Sequence, residues 1–187
     1  LEWSAPDVLI YPTGGGTGLI GIWKAYRELS ELGWVKDRPP RFVAVQAEGC
    51  APVVKAWAEK ALVTTPVENP TTNAPGLRVP SPFAGRQMLN VLRETEGDAL
   101  AVSEAEIVEA QKLLARTEGI WTAPEAAAAL AALLRLKDRG RLDRQSRIVL
   151  LLTGAGIKNL PPSLPPPLDL TGPEESLLKR VQAALAL

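Results

Sequence analysis

Short, almost wholly apolar runs alternate along this chain with longer stretches whose apolar positions recur every three or four residues. Asp7-Val8-Leu9-Ile10-Tyr11 is β-branched and aromatic and ends at Pro12. Such a run reads as a buried parallel strand. Leu19, Ile22, Trp23, Tyr26, Leu29 and Leu32 then trace one helical face, closed by Gly33. Phe42-Val43-Ala44-Val45 predicts the next strand, and Pro52 to Lys60 a short helix with Val53, Val54 and Trp57 inward. Residues 61–84 are rich in Pro, Thr and Asn and lack a period. They read as a long loop, and long ordered loops in compact domains are often functional. Met88, Leu89 and Leu92 predict a helix from Gly85 to Glu96, followed by a strand from Asp98 to Val102. Ser103 and Glu106 make a capping box that opens a helix to about Thr117. Pro124 starts an alanine-rich helix that runs to Arg139 and stops at Gly140. Arg147 to Leu152 predicts a further strand, ended by Thr153-Gly154-Ala155-Gly156.

Beyond Leu160 the pattern changes. Pro161, Pro162, Pro165, Pro166 and Pro167 predict an extended linker. Thr171 and Glu174 form a second capping box before an amphipathic helix from Glu174 to Leu185. The expected division is therefore an α/β domain over 1–160, and a proline-rich linker with a terminal helix over 161–187. Strands alternating with helices argue a three-layer, Rossmann-like α/β fold with a mainly parallel sheet. Ligands sit at the carboxyl ends of such strands. Both glycine turns, after Tyr11 and after Leu152, fall there.

Composition narrows the chemistry. At 187 residues, 46% hydrophobic and 22% charged, the chain is neither disordered nor long enough for several domains. No apolar stretch reaches the ~20 residues of a membrane span. The 21 basic residues balance the 21 acidic ones, which gives no global electrostatic reason to bind nucleic acid or membrane. One cysteine, Cys50, allows no intrachain disulfide and suits a reducing, cytoplasmic setting. Histidine is absent, which excludes imidazole triads and His-ligated metals. Any base must be a lysine, a carboxylate or a cofactor.

The turn Thr13-Gly14-Gly15-Gly16-Thr17-Gly18 carries the strongest chemical signal. Glycines let backbone amides converge at a helix start, where an anion is held. Thr13 and Thr17 can add hydroxyl donors. Gly16, Gly18 and Gly21 also satisfy a dinucleotide fingerprint, with Glu48 as a late candidate for the ribose. A P-loop is excluded, because Leu19 stands where its lysine belongs. A monophosphate cup for a cofactor such as pyridoxal phosphate, or a plain tight turn, completes the alternatives.

Tyr11-Pro12-Thr13-Gly14-Gly15-Gly16-Thr17-Gly18-Leu19-Ile20-Gly21-Ile22-Trp23-Lys24-Ala25 resembles the phosphate loop of the threonine synthases. These belong to the fold type II pyridoxal-phosphate enzyme family. Val45-Gln46-Ala47-Glu48-Gly49-Cys50-Ala51-Pro52, Gly76-Leu77-Arg78-Val79-Pro80, the segment from Glu118 to Ala127, and Leu152-Thr153-Gly154-Ala155-Gly156-Ile157-Lys158 resemble other family motifs in the same order. The resemblance spans 7–158 and implies the large cofactor-binding domain of such an enzyme. It implies that Gly14, Gly15, Gly16, Thr17 and Gly18 bind the cofactor phosphate and that Thr153 bonds the pyridine nitrogen. A hydroxyl there lets that nitrogen stay largely neutral, whereas a carboxylate would hold it protonated. The implied reaction is O-phosphohomoserine plus water to threonine plus phosphate. The alternatives are a serine/threonine dehydratase-like lyase and a noncatalytic phosphate-binding remnant.

The family's Schiff-base lysine lies upstream of the glycine loop, and no residue before Asp7 can supply it. The sequence therefore reads as a carboxyl-terminal portion, inactive alone, whose partner is the lysine-bearing amino-terminal half and which forms a homodimer when complete. No catalytic residue is expected within it. Lys24 and Lys158 lie nearest the glycine turns but not at the Schiff-base position. Arg78 is a weaker candidate for substrate phosphate. Cys50 and the tryptophans Trp23, Trp57 and Trp121 read as packing residues. An incomplete domain should also expose a sheet edge and apolar surface.

Overall fold

The computed structural model describes residues 4–158, 171, 173 and 176–180. Four strands, β1 (Val8–Pro12), β2 (Arg41–Ala47), β3 (Asp98–Val102) and β4 (Ile148–Leu150), form one parallel sheet in the order β3-β2-β1-β4. Five α-helices connect them: α1 (Thr17–Glu31), α2 (Pro52–Ala58), α3 (Gly85–Glu94), α4 (Glu104–Glu118) and α5 (Pro124–Asp138). The chain moves outward from β1 through β2 to β3, then crosses back to lay β4 on the other side of β1. The order reverses between β1 and β4, and at such a switch point the loops diverge and leave a crevice.

Strand side chains point alternately to the two faces of the sheet. Val8, Ile10, Val43, Val45, Ala47, Leu100 and Val102 face one core, shared with α4 and α5. Leu9, Phe42, Ala44 and Ala99 face the other, with Leu19, Val53, Met88, Leu89 and Leu92 from α1, α2 and α3. The result is the expected three-layer α/β sandwich. On α5, Ala126 to Ala129, Ala131 and Ala132 are all buried. A face of methyl groups lets that helix lie close against β1, β2 and β3. The Ser103 capping box opens α4 as the sequence predicts, with both reciprocal bonds present.

Two expectations change. The strand predicted over Arg147–Leu152 is paired only over Ile148–Leu150, and it lies at the sheet edge. Its apolar run encodes burial, yet only β1 flanks it among the described residues, and Val149 is 40% exposed. Trp121, expected to pack inward, is 43% exposed and lies against Gly156 instead. Leu152 and Ile157 are also exposed near this edge, as expected for an open sheet. Most of the proline-dense segment and of the closing helix, with the Glu174 half of its capping box, lies outside the described residues. Residues 176–180 are helical.

Candidate functional site

The glycine turn and Thr153 line one cleft of about 390 Å³ at the carboxyl ends of β1 and β4. That volume lies within the range of small-ligand sites. Register explains the meeting. Ile10 is paired with Leu150, and the Leu151 amide donates to the Ile10 carbonyl at 3.1 Å. The next residues of both strands therefore leave the sheet side by side. Two further bonds fix the turn that carries Thr153, from the Ala123 amide to the Gly154 carbonyl and from the Gly156 amide to the Trp121 carbonyl, each 2.9 Å.

The cup itself needs bare backbone. Gly16 is left-handed, with φ 102°. A Cβ on Gly14 would lie 2.5 Å from the Gly76 carbonyl oxygen, and one on Gly16 would lie 2.7 Å from the Met88 sulfur. No side chain caps the start of α1. Among the described residues, no acceptor meets the amides of Gly14, Gly15, Gly16, Thr17 or Gly18. Five unpaired donors around a helix N-terminus match the chemistry of a phosphate dianion. The Thr17 and Thr153 side chains are exposed to the same cleft. These residues thus fit the phosphate and ring of pyridoxal phosphate.

Thr13 behaves differently from the sequence expectation. It is fully buried, and its hydroxyl donates to the Tyr11 carbonyl at 2.8 Å. It anchors the cup rather than lining it. Tyr11, Leu77, Ala123, Glu125 and Lys158 complete the cleft wall. Glu125 holds the Gly76 amide through Oε1 at 2.7 Å, and so fastens the 61–84 loop behind Gly14. This role is open to inference from sequence only as part of the Pro124-Glu125 motif, since its partner lies 49 positions away.

The other candidates separate from the site. Lys24 pairs with Glu28 on the outer face of α1, while Lys158 does reach the cleft. Arg78 is exposed and does not line it. Cys50 is fully buried, and that burial pushes its thiol pKa up, which fits packing rather than reactivity. Glu48 pairs with Arg135 at 3.2 Å, away from the cleft. Gly21, the third glycine of the dinucleotide pattern, has open space where its Cβ would stand. That pattern uses its third glycine for close helix–strand packing, so the dinucleotide reading loses both supports. A second cavity, of about 420 Å³, opens at the amino-terminal ends of the strands. Its arginines are already engaged, Arg38 with Glu96, Arg41 with Asp98 and Arg147 with Asp7.

The chain belongs to the pyridoxal-phosphate dependent enzyme family, whose model matches residues 1–154. Its cofactor is accordingly pyridoxal phosphate. Within that class the chain is similar to threonine synthases. It is 39% identical to that of Methanocaldococcus jannaschii over 159 residues, which make up 85% of this chain and 39% of that one. It is 34% identical to that of Mycobacterium bovis over 181 residues, 93% of this chain and 48% of the other. The chain thus spans between two-fifths and half of the length of these relatives. In structure it is similar to a threonine deaminase from T.th., with a TM-score of 0.62, 28% identity, and coverage of 80% of this chain and 49% of that one. It is also similar to an L-serine ammonia-lyase from Rhizomucor miehei, with a TM-score of 0.61, 26% identity, and coverage of 80% and 45%.

Proposed function

We propose that this chain forms the phosphate-binding portion of a threonine synthase that converts O-phosphohomoserine and water to threonine and phosphate. The observation that carries the reading is the single cleft shared by the cup of Gly14 to Gly18 and the hydroxyl of Thr153. The threonine synthase relatives support the choice of reaction. Pyridoxal phosphate, when bound, supplies the electron sink for the proton shifts at the α and β carbons that loss of a γ-phosphate requires.

The chain's own groups bind and orient. With the cofactor bound, the cup amides would hold its phosphate by charge-assisted hydrogen bonds, reinforced by the positive end of the α1 dipole. The Thr153 hydroxyl would donate to the pyridine nitrogen without protonating it. Glu125, through Gly76, keeps the 61–84 loop against the cup. Lys158 adds a positive charge to the wall that an anionic substrate meets. The lysine that links to the cofactor comes from an amino-terminal portion, and the assembled enzyme is a homodimer.

A serine/threonine dehydratase-like lyase is the second reading, favoured by the deaminase and ammonia-lyase neighbours. Reconstitution with a lysine-bearing amino-terminal portion separates the two. Phosphate release from O-phosphohomoserine with threonine as product supports the synthase. Ammonia release from serine or threonine supports the lyase. No turnover of either kind, with phosphate still bound, would identify a noncatalytic remnant. A lysine-dependent absorbance of added pyridoxal phosphate on the chain alone, abolished by Lys158→Ala, would overturn the need for a partner.

A further inference from the structure

We infer that Gln46 is a positioning residue for the phosphate cup, an inference that rests on the reading of that cup given above. Gln46 stands near the end of β2 and is fully buried. Its side chain touches no part of the cleft. It joins two elements. Its Oε1 accepts from the Val53 amide at 2.9 Å and from the Val54 amide at 3.3 Å. These amides open α2, which has no cap from its own N-cap residue, Ala51. Its Nε2 donates to the Thr13 carbonyl at 3.4 Å.

Only one orientation of the amide serves both ends, since the α2 amides need an acceptor and the Thr13 carbonyl needs a donor. Thr13 is the residue at which β1 turns into the cup. Its amide donates to the Val45 carbonyl at 2.7 Å, and its hydroxyl to the Tyr11 carbonyl. With the Gln46 bond, all three polar groups of Thr13 are engaged. Its carbonyl belongs to the peptide that also carries the Gly14 amide, the first donor of the cup. The Gln46 side chain therefore sets the tilt of that peptide, and with it the direction in which the Gly14 amide points.

The two jobs call for different chemistry, which makes them separable. Gln46→Glu keeps the shape and keeps an acceptor for α2, strengthened by its charge at a helix N-terminus. It removes the donor to Thr13 and turns a carboxylate oxygen toward the carbonyl. It should spoil the cup beyond what its effect on the fold explains.

The test uses the full chain and pyridoxine 5′-phosphate, which lacks the aldehyde and so reports phosphate and ring binding without any lysine. Binding is measured calorimetrically at about pH 8 and again at about pH 9.5, together with thermal midpoints, because burial raises a glutamate's pKa and only the ionised carboxylate lacks the donor. Gly16→Ala, which puts a side chain on the left-handed residue of the cup, tests the cup directly, and Ala56→Gly loosens α2 without touching Gln46. The expected result is a roughly tenfold loss of affinity for Gln46→Glu at the higher pH, the scale of one lost buried hydrogen bond, with a lowered midpoint, since a carboxylate buried against a carbonyl costs the fold as well. Ala56→Gly should show a lower midpoint with parental affinity. Parental affinity in both Gln46→Glu and Gln46→Met overturns the inference. So does an affinity loss of equal size in Ala56→Gly, which would mean that binding follows stability alone. If Gln46→Glu does not fold, Gln46→Met, which also lacks the donor, is judged by the same comparison. A parent whose binding Gly16→Ala leaves intact overturns the cup reading itself, whatever Gln46 does.

Discussion

The phenol oxygen of Tyr11 occupies the place of a side chain on Gly18: a Cβ there would lie 1.8 Å from it and 2.5 Å from the ring carbon that bears it. Strand end and helix start are thus fitted to each other by one missing methyl. Gly18→Ala should displace the tyrosine or the first turn of α1 and destabilise the chain by ~1–3 kcal/mol, as overpacking does. The gain in helix propensity, about 1 kcal/mol, offsets only part of this. Tyr11→Ala combined with Gly18→Ala should recover stability relative to Gly18→Ala alone, so that the two changes are non-additive in urea unfolding.

Arg135 ties the far ends of β2 and β3 to α4 and α5. Its Nε donates to Glu106 Oε1 at 2.9 Å, its Nη2 reaches Glu48 at 3.2 Å, and its Nη1 donates to the Ala101 carbonyl. Burial alone would raise the Glu106 carboxyl, but the Ser103 amide and hydroxyl and the Arg135 guanidinium together hold it below the ordinary value. A carboxyl depressed in the folded state stabilises the fold above its unfolded pKa, near 4.3. That contribution is lost as pH falls through the lower folded value. Arg135→Met should cost about 2 kcal/mol at neutral pH. It should also flatten the decline of stability between roughly pH 5 and pH 3, as read from denaturant midpoints across that window.

Glu125→Ala should release the Gly76 amide. Hydrogen exchange at that amide should speed up by an order of magnitude or more, the scale of one charge-assisted bond. Glu125→Gln retains a carbonyl acceptor and should lie between the two. Equal exchange in all three proteins would show that the 61–84 loop is held by other contacts.

Cys50 should resist aromatic disulfide reagents in the native chain. It is fully buried, and burial raises its thiol, so both access and thiolate fraction are low. Modification should follow the rate of opening and become complete in denaturant. Rapid native labelling at neutral pH would contradict this.

The layers are legible in the sequence because they rest on period. Alternate residues of Val8 to Ile10 and Phe42 to Ala47 segregate to opposite cores, and the apolar runs carry that information locally. The cup is legible because three successive glycines have few other uses. What stays hidden depends on pairs distant in the chain. The bonds of Gln46 to Thr13 and of Glu125 to Gly76 join residues 33 and 49 positions apart, and no spacing rule marks them. The edge position of Ile148–Leu150 is hidden for another reason, since an apolar run looks alike at the centre and at the rim of a sheet. Thr13 and Thr17 have the same side chain in the same turn. Only the fold turns one inward and the other outward.

The start of α1 carries no side-chain cap of its own, so on the proposed reading a bound phosphoester would serve as that cap. Anything that occupies the cup in the folded chain and not in the unfolded one adds RT ln(1 + [L]/Kd) to stability. On the proposed reading, melting temperature would read out the free concentration of phosphoester, and a helix that most proteins close with a serine or an aspartate would here be closed by a metabolite.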